Sequence, residues 1–326
     1  MNTNTLLSKG TEVRNIPRCG NAGVTFIGFG GLEIGRDWGV GEGAHGGSWG
    51  AKGDPTRPEE EEAIAVTQGV LDLGIGVLDT ASAYLLSEER IGKAVSDRRD
   101  EYFLASKCGE YSVYEEQTTA YDFSYEAVSK SIDNSLELLQ TDVIDLMQIH
   151  FGPDQQQVID DGETVRAMQD AKKAGKIRYL GASCDGDIAR QCIESGDFDV
   201  MQMTYSLLEM QNDENIQLAY QKGIGVFVKT GLGRGKLTPK VLDNLDTLEG
   251  DEKTKVEALL DLCYRDGEML MAVAIQFLYS TPAISSVLLG SKSLEHVAHN
   301  LMLADVELEE GMLEKAVEIC SDTAKL

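Results

Sequence analysis

Residues 125–150 read YEAVSKSIDNSLELLQTDVIDLMQIH, and this stretch holds one helical pattern followed directly by one strand pattern. Val128, Ile132 and Leu136 recur at four-residue spacing, which predicts an amphipathic helix with one buried face. The apolar run VIDLMQIH at 143–150 has the length of a buried strand. The stretch therefore predicts one helix–strand unit of an α/β protein.

The same alternation continues from end to end of the chain, without a linker or a break in composition. Strands are also predicted at 24–30, 76–80, 102–106, 177–183, 199–205, 225–229 and 284–290. Eight strand–helix units over about 24–305 predict a (β/α)8 TIM barrel, with residues 1–326 as a single domain. Outside the units, 8–22 predicts an N-terminal β-hairpin that closes the barrel bottom, and 306–326 predicts an extra C-terminal helix.

The alternative fold is a doubly wound open sheet that binds a dinucleotide. Such a sheet usually carries G-x-G-x-x-G after its first strand. Here the first predicted strand ends in GFGGLE, which puts Glu33 where the third glycine should be. The failed fingerprint favours the barrel.

The charge of the chain excludes several classes of function. Lys and Arg total 29 against 55 Asp and Glu, which gives a formal net charge of −26. Nucleic-acid binding and a polybasic membrane anchor both need positive surface, so neither is expected. The six scattered cysteines form no C-x-x-C pair, and no metal-ligand spacing occurs. We expect a cytoplasmic protein with free thiols, no metal and a small-molecule ligand.

The sequence offers a loop and two aromatic residues as candidates for binding the substrate, each with an alternative explanation. The loop 30–53 holds ten glycines and Trp38, and it follows the first predicted strand. It is either a substrate loop or lid, or a disordered insertion. Trp38 and Phe151 are candidates for the substrate pocket, and packing is the equal alternative for both.

Four polar side chains are expected to converge at the barrel mouth, where active sites of this fold lie. Asp79, Lys107 and His150 stand at the ends of the second, third and fourth predicted strands, and Tyr84 follows in the loop after Asp79. Any one of them alone has an ordinary structural explanation. Neighbouring barrel strands lie about 4.8 Å apart, so the set meets on one rim.

This set of side chains is suited to donating a proton to a carbonyl oxygen. The ordinary pKa of tyrosine, near 10, is too high for easy transfer at neutral pH, and we expect the Lys107 ammonium to lower the pKa of Tyr84. Asp79 holds the ammonium, while His150 shares the substrate oxygen or relays the proton. A lyase with Lys107 as a Schiff base is the weaker alternative, because pairing with Asp79 keeps the amine charged.

Carbonyl reduction also needs a hydride, which only a cofactor supplies. Nicotinamide dinucleotides are anionic and need a basic pocket. The stretch 223–242 contains no acid and carries Lys229, Arg234, Lys236 and Lys240. Lys292 follows the eighth predicted strand, and barrel phosphate sites use the loops after strands seven and eight.

The chain resembles the aldo-keto reductases over nearly its whole length. The matching stretches are GVLDTASAYLLSEERIGKAV, FLASK, YEAVSKSIDNSLELLQTDVIDLMQIH, GKIRYLGAS, the 202–205 segment and SVLLGSKSLEHVAHNL. The resemblance implies a barrel enzyme that moves a hydride between NADP(H) and a small aldehyde, ketone or sugar, with catalytic Asp79, Tyr84, Lys107 and His150. A regulatory subunit that binds the cofactor with little turnover stays open as the alternative.

The resemblance also implies the cofactor residues. Ser183 and Gln202 match positions that bind the nicotinamide carboxamide. The pyrophosphate strap of the family matches Thr230, Gly231, Leu232 and Gly233. The residues at the adenosine end match Gly290, Ser291, Lys292, His296 and Asn300. Three residues depart from the family pattern: Cys184 replaces an asparagine, Lys229 a tyrosine, and His296 an arginine on the 2′-phosphate. Lys292 supplies a point charge there, so NADP(H) is preferred and NAD(H) is possible.

Overall fold

The computed structural model describes residues 8–36, 57–116 and 118–321. Eight parallel strands close into one barrel, and two antiparallel hairpins lie outside it. The strands are β1 (Val13–Ile16), β2 (Ala22–Thr25), β3 (Ile27–Gly30), β4 (Val77–Asp79), β5 (Phe103–Cys108), β6 (Glu110–Val113), β7 (Thr118–Tyr121), β8 (Ile144–His150), β9 (Ile177–Ser183), β10 (Val200–Thr204), β11 (Gly225–Lys229) and β12 (Ser286–Gly290).

Helices follow the barrel strands and cover the outside of the barrel. They are α1 (Leu32–Gly35), α2 (Glu60–Asp72), α3 (Ser87–Val95), α4 (Tyr125–Leu138), α5 (Gln155–Asp161), α6 (Glu163–Lys173), α7 (Gly186–Ser195), α8 (Asp213–Gln221), α9 (Val241–Asn244), α10 (Gly250–Leu262), α11 (Gly267–Tyr279), α12 (Leu294–Ala304) and α13 (Met312–Ser321). None of the helices in the described part of the chain combines the length and apolar content needed to cross a bilayer.

The barrel order is β3, β4, β5, β8, β9, β10, β11 and β12, and β12 pairs with β3 to close the circle. Every neighbouring pair in this circle is parallel. The predicted (β/α)8 TIM barrel is therefore confirmed, and the open sheet is excluded. The helical pattern at 125–139 is confirmed as α4, which begins after Ser124, whose hydroxyl accepts a hydrogen bond from the amide of Ala127.

The first predicted strand, 24–30, is wrong in one respect, because it contains two strands. Thr25 ends β2, where it pairs with Val13, and Ile27 begins β3, where it pairs with Val287. Between them Phe26 donates its amide hydrogen to the carbonyl of Glu12, so the chain leaves the hairpin at this residue and enters the barrel. An unbroken apolar run cannot reveal such a change of partner.

The predicted N-terminal hairpin is confirmed, with β1 and β2 as its strands and bounds shifted toward the barrel. Ile16 and Cys19 are buried there in one apolar cluster with Phe103 and Phe227, which come from β5 and β11. The hairpin therefore seals the end of the barrel opposite the carboxyl ends of the strands. The predicted C-terminal helix is α13.

A second hairpin, β6–β7, follows β5 on the mouth side of the barrel, in a stretch where the sequence analysis predicts no strand. Its register places Glu110 opposite Tyr121 and Ser112 opposite Thr119. Ser112 donates a hydrogen bond to the carbonyl of Ala83, which ties the hairpin to the loop after β4.

Replacing Ile16 with alanine tests the bottom closure. Ile16 is 0% exposed, whereas Val13 on the same strand is 58% exposed. We expect Ile16→Ala to cost about 2–5 kcal/mol of unfolding free energy, because it leaves a cavity in a closed cluster. Val13→Ala, the matched control, should stay within about 0.5 kcal/mol. Urea unfolding followed by circular dichroism measures both, and equal midpoints would contradict the closure.

Candidate active site

The barrel mouth brings the four predicted catalytic side chains together. Asp79 ends β4, Lys107 lies next to last in β5, and His150 ends β8. Tyr84 ends a short 3-10 turn, Ser82–Tyr84, which follows β4. The predicted convergence of these residues is confirmed.

A buried ion pair forms the floor of this cluster. Lys107 Nζ lies 2.5 Å from Asp79 Oδ2 and donates a second hydrogen bond, of 2.9 Å, to the carbonyl of Thr80. The other carboxylate oxygen, Oδ1, accepts from Gln148 Nε2 at 2.9 Å and from Gln202 Nε2 at 3.4 Å. The carboxylate thus binds residues of three other strands, β5, β8 and β10.

Gln148 was missed by the sequence analysis, although a signal for it existed. It stands two residues before His150 on the same strand, and side chains two apart point to the same face. Its strand neighbour in register is Lys107. The inward face of β8 therefore supplies both Gln148 and His150 to the mouth.

The ion pair keeps Lys107 charged. Burial alone would lower the pKa of Lys107, but the Asp79 carboxylate and the Tyr84 oxygen outweigh burial and raise this pKa above its ordinary value. A Schiff base needs an uncharged amine, so this environment opposes the lyase alternative.

Tyr84 differs from the expectation about its acidity. Its ring centre lies 4.9 Å from Lys107 Nζ, and the ammonium does act to lower the pKa. Burial is the larger effect and Asp79 adds to it, so the pKa of Tyr84 is raised rather than lowered. Sequence reasoning counted the cation and had no measure of burial. The result is a phenol that keeps its proton until a partner takes it.

His150 has a carboxylate partner that the sequence analysis missed. Glu110 Oε2 lies 2.7 Å from His150 Nδ1, and the ring of His150 meets the ring of Tyr84 edge to face with centroids 5.8 Å apart. Burial lowers the pKa of His150, and Glu110 offsets only part of that effect. The residue type and position of Glu110 gave no signal, since it lies in the unexpected β6–β7 hairpin.

The predicted cofactor residues lie at the carboxyl ends of β9 to β12 or directly after them. Ser183 ends β9, Gln202 lies in β10, and Lys229 ends β11. The strap 230–233 with Arg234 and Lys236 follows β11, while Gly290 ends β12 and leads to α12, which carries His296 and Asn300. One side of the mouth therefore contains all of them, beside the catalytic four.

Acidic side chains from other parts of the chain lie beside the basic residues of the stretch 223–242. The expected basic pocket is therefore less positive than the sequence of this stretch indicates. Arg234 donates two hydrogen bonds to Glu209, at 2.9 and 2.8 Å. Lys236 pairs with Glu252. Both acids come from segments outside the stretch, so counting charge along the sequence overstated the local positive field.

Lys229 is held in the same way. Its Nζ donates to Ser183 Oγ at 3.3 Å and lies 3.4 Å from Asp185 Oδ2. Asp185 in turn accepts from the Thr204 amide at 2.7 Å and from Asn212 Nδ2 at 2.8 Å. The lysine that replaces the family's tyrosine is therefore fixed between two residues that follow or end β9.

The hydroxyl of Thr230, in the strap, and the thiol of Cys184, beside it, affect how this side of the mouth can bind a ligand. Thr230 has a left-handed φ of 58°, which is unusual for a β-branched residue. Its hydroxyl Oγ1 is buried and has no hydrogen-bond partner among the described residues. Cys184 is buried, and the neighbouring Cys192 thiol together with burial raises its pKa, so this thiol stays protonated.

The structure says less about the two predicted substrate residues, Trp38 and Phe151, than about the catalytic and cofactor residues. Of the predicted loop 30–53, residues 32–35 form the short helix α1, while Trp38 and residues 37–53 lie outside the described residues. Phe151 packs against Phe123 with ring centroids 6.4 Å apart and lines a groove of about 210 Å³ between α5, α6 and α7. In the described ranges no three His, Cys, Asp or Glu side chains are grouped to hold a metal ion.

Comparisons with known proteins agree with this geometry. The sequence model of the Aldo/keto reductase family matches residues 45–320. L-galactose dehydrogenase from Arabidopsis thaliana is 32% identical over 265 residues, which cover 77% of this chain and 80% of that protein. NADH-specific methylglyoxal reductase from Escherichia coli is 26% identical over 297 residues, which cover 81% and 90% of the two chains. The holo form of an aldo-keto reductase from Bacillus halodurans superposes with a TM-score of 0.75 at 25% identity, covering 95% and 96% of the two chains.

Removing the cation of the buried pair should cost far more than removing an exposed one. We expect Lys107→Met to lower the unfolding free energy by about 3–5 kcal/mol, because it leaves the Asp79 carboxylate buried without its countercharge. The double variant Asp79→Asn/Lys107→Met should recover most of this loss. The control is Lys93→Met, which breaks exposed 2.8 Å pairs with Glu60 and Glu89 and should leave the unfolding free energy nearly unchanged. Urea denaturation measures all three, and equal effects of the two single variants would refute the role of the buried pair.

Proposed function

The chain belongs to the aldo/keto reductase family, and we propose that it moves a hydride between NADP(H) and a small carbonyl or alcohol substrate, with Tyr84 as the general acid and base. One observation carries the proposal. Lys107 is only 1% exposed and lies between the Asp79 carboxylate, 2.5 Å away, and the Tyr84 ring, 4.9 Å away. A buried ammonium beside a partly buried phenol stabilises the phenolate that proton donation leaves behind.

Each side chain has one part in the reaction. The nicotinamide, when bound, supplies or accepts the hydride. Tyr84 gives its proton to the carbonyl oxygen during reduction and takes one back from the alcohol during oxidation. Lys107 stabilises the negative charge on the Tyr84 oxygen, and Asp79 holds the ammonium in place. His150 orients the substrate oxygen.

The residues beside the catalytic four fit a nicotinamide dinucleotide. Ser183 and Gln202 offer a hydroxyl and a primary amide, which can exchange hydrogen bonds with a carboxamide. The buried Thr230 hydroxyl lacks a partner among the described residues and is a donor for a phosphate oxygen. Lys229, Arg234 and Lys236 supply positive charge, and the other strap and adenosine-end residues complete the set: Cys184, Gly231, Leu232, Gly233, Gly290, Ser291, Lys292, His296 and Asn300.

The choice between NADP(H) and NAD(H) depends on the adenosine end. We favour NADP(H), with Lys292 as a point charge on the 2′-phosphate and His296 beside it. A relative named as NADH-specific, at 26% identity, keeps NAD(H) as the second candidate.

The names of two relatives support the proposed substrate class. One is an L-galactose dehydrogenase and another a methylglyoxal reductase, which supports a small carbonyl compound or a sugar. The whole chain, 1–326, is proposed to act as one barrel domain in the cytoplasm. Six buried thiols without a disulfide support a reducing compartment.

Replacing Tyr84 with phenylalanine tests the catalytic assignment. We expect turnover on a panel of aldehydes, ketones and sugars to fall by about 10²–10⁴-fold, because the proton donor is lost. NADPH affinity should be nearly unchanged. The control is Tyr264→Phe, which removes the hydroxyl of an exposed tyrosine that donates a 2.9 Å hydrogen bond to Glu309. Retained turnover in Tyr84→Phe would refute the assignment, and tight NADPH binding by the unaltered protein without turnover on any substrate would favour the regulatory alternative.

Fluorescence titration with NADPH and NADH tests the cofactor preference. We expect NADPH to bind more tightly, and Lys292→Ala to reduce the difference between the two cofactors by weakening NADPH alone. Loss of one charge–phosphate contact should change the NADPH dissociation constant by about tenfold. The control is Lys253→Ala, a partly buried lysine on α10. Equal weakening of both cofactors would place Lys292 away from the 2′-phosphate.

A further inference from the structure

We propose that Glu110 is a positioning residue that keeps a proton on Nδ1 of His150. Nε2 of the neutral ring then accepts a hydrogen bond from the hydroxyl of an alcohol substrate or of Tyr84. When the Glu110–His150 pair takes up one further proton, Nε2 carries it and becomes a donor. The inference rests on the proposed function, because it concerns the same site. It adds Glu110 to the four predicted catalytic residues, and it gives the Glu110–His150 pair the part of holding a proton for the reaction.

The β6–β7 hairpin holds Glu110 in place. Oε2 is 2.7 Å from His150 Nδ1, and the two side chains are 10% and 18% exposed. The other oxygen, Oε1, accepts a hydrogen bond of 3.3 Å from the hydroxyl of Tyr121, the residue opposite Glu110 in the hairpin register. The carboxylate is therefore fixed from two sides beside the mouth.

The contact with Glu110 favours one of the two positions for the proton on the neutral His150 ring. A carboxylate oxygen only accepts hydrogen bonds, and it would repel a ring nitrogen lone pair at 2.7 Å. The oxygen lies off the direction of an ideal ring N–H, since Nδ1 has no partner of good hydrogen-bond geometry. The neutral ring can turn either a lone pair or the positive end of an N–H dipole toward this oxygen, and the N–H dipole is the favourable choice, so the carboxylate favours the proton on Nδ1. The neutral ring then has a lone pair on Nε2.

The surrounding charges set when the pair takes up a further proton. Burial lowers the pKa of His150, with Lys107 and Lys229 adding to it, and Glu110 acts in the opposite direction. Burial alone would raise the pKa of Glu110, but His150, Thr119 and Arg36 outweigh it and lower this pKa to about 2. The carboxylate is therefore ionised over the whole working range, and the added proton goes to Nε2 of His150.

The pair accounts for the proton that Tyr84 loses in reduction and gains in oxidation. In reduction the carbonyl carbon gains a hydride from the reduced nicotinamide, and the oxygen gains a proton through Tyr84. Burial keeps the pKa of Tyr84 high, so its oxygen must recover a proton, and protonated His150 is the adjacent donor. In oxidation the same proton returns to Nε2. Reduction therefore uses the protonated pair, and oxidation uses the unprotonated pair.

The test combines nuclear magnetic resonance of the histidine rings with the pH dependence of turnover. The chain has four histidines, so long-range ¹H–¹⁵N correlation can resolve His150, assigned with His150→Asn. We expect the proton on Nδ1 in the neutral ring. In Glu110→Gln the pKa of His150 should fall by about one unit or more, because the paired negative charge is lost. The pH above which kcat/KM for reduction falls should decrease by the same amount.

Two further variants separate positioning from structure. Glu110→Asp keeps the charge and should restore part of the shift in both readouts, whereas Glu115→Gln removes an exposed charge of the same loop and should change neither. A neutral His150 protonated on Nε2, or a pKa unchanged in Glu110→Gln, overturns the proposal. The ring measurement needs no turnover, so a confirmed pair in a protein without reductase activity would contradict the proposed function alone.

Discussion

The buried ion pair between Lys107 and Asp79 is the interaction on which the mouth of the barrel depends. An ammonium and a carboxylate removed from water are costly unless both find partners, and here the two Asp79 oxygens are divided between Lys107 on one side and Gln148 and Gln202 on the other. One carboxylate thereby joins β4 to β5, β8 and β10. The same pair keeps the ammonium charged beside the partly buried phenol of Tyr84, so one contact serves both the stability of the mouth and its proposed chemistry.

The acidity of the chain affects this site in a way that composition does not reveal. With a net charge of −26, an anionic cofactor meets an unfavourable long-range field. The basic residues at the end of β11 and after it are already partnered, with Lys229 held near Asp185 and Arg234 bound by both oxygens of Glu209. Hydroxyl and amide donors such as Thr230 are therefore important to the proposed phosphate and nicotinamide contacts, in addition to the cations.

Much of the fold and of the candidate site was predictable from sequence. All eight barrel strands begin and end within a few residues of the predicted runs, because short apolar segments between amphipathic helices have few other solutions. The convergence of Asp79, Lys107 and His150 follows from the rule that strand ends share one rim. The β6–β7 hairpin was not predictable in the same way, since its strands lack apolar alternation, and Glu110 was missed with it.

The sequence by itself determined the barrel, the set of four side chains and the family, since each is written in local periodicity or in residues of fixed spacing. Tertiary structure alone decided the electrostatics. Glu209 and Arg234, or Glu110 and His150, are partners across 25 and 40 positions of the chain. The energy of a charge depends on its distance in space from other charges and on the water around it. The raised pKa of Tyr84 has this origin, because burial outweighs the nearby ammonium.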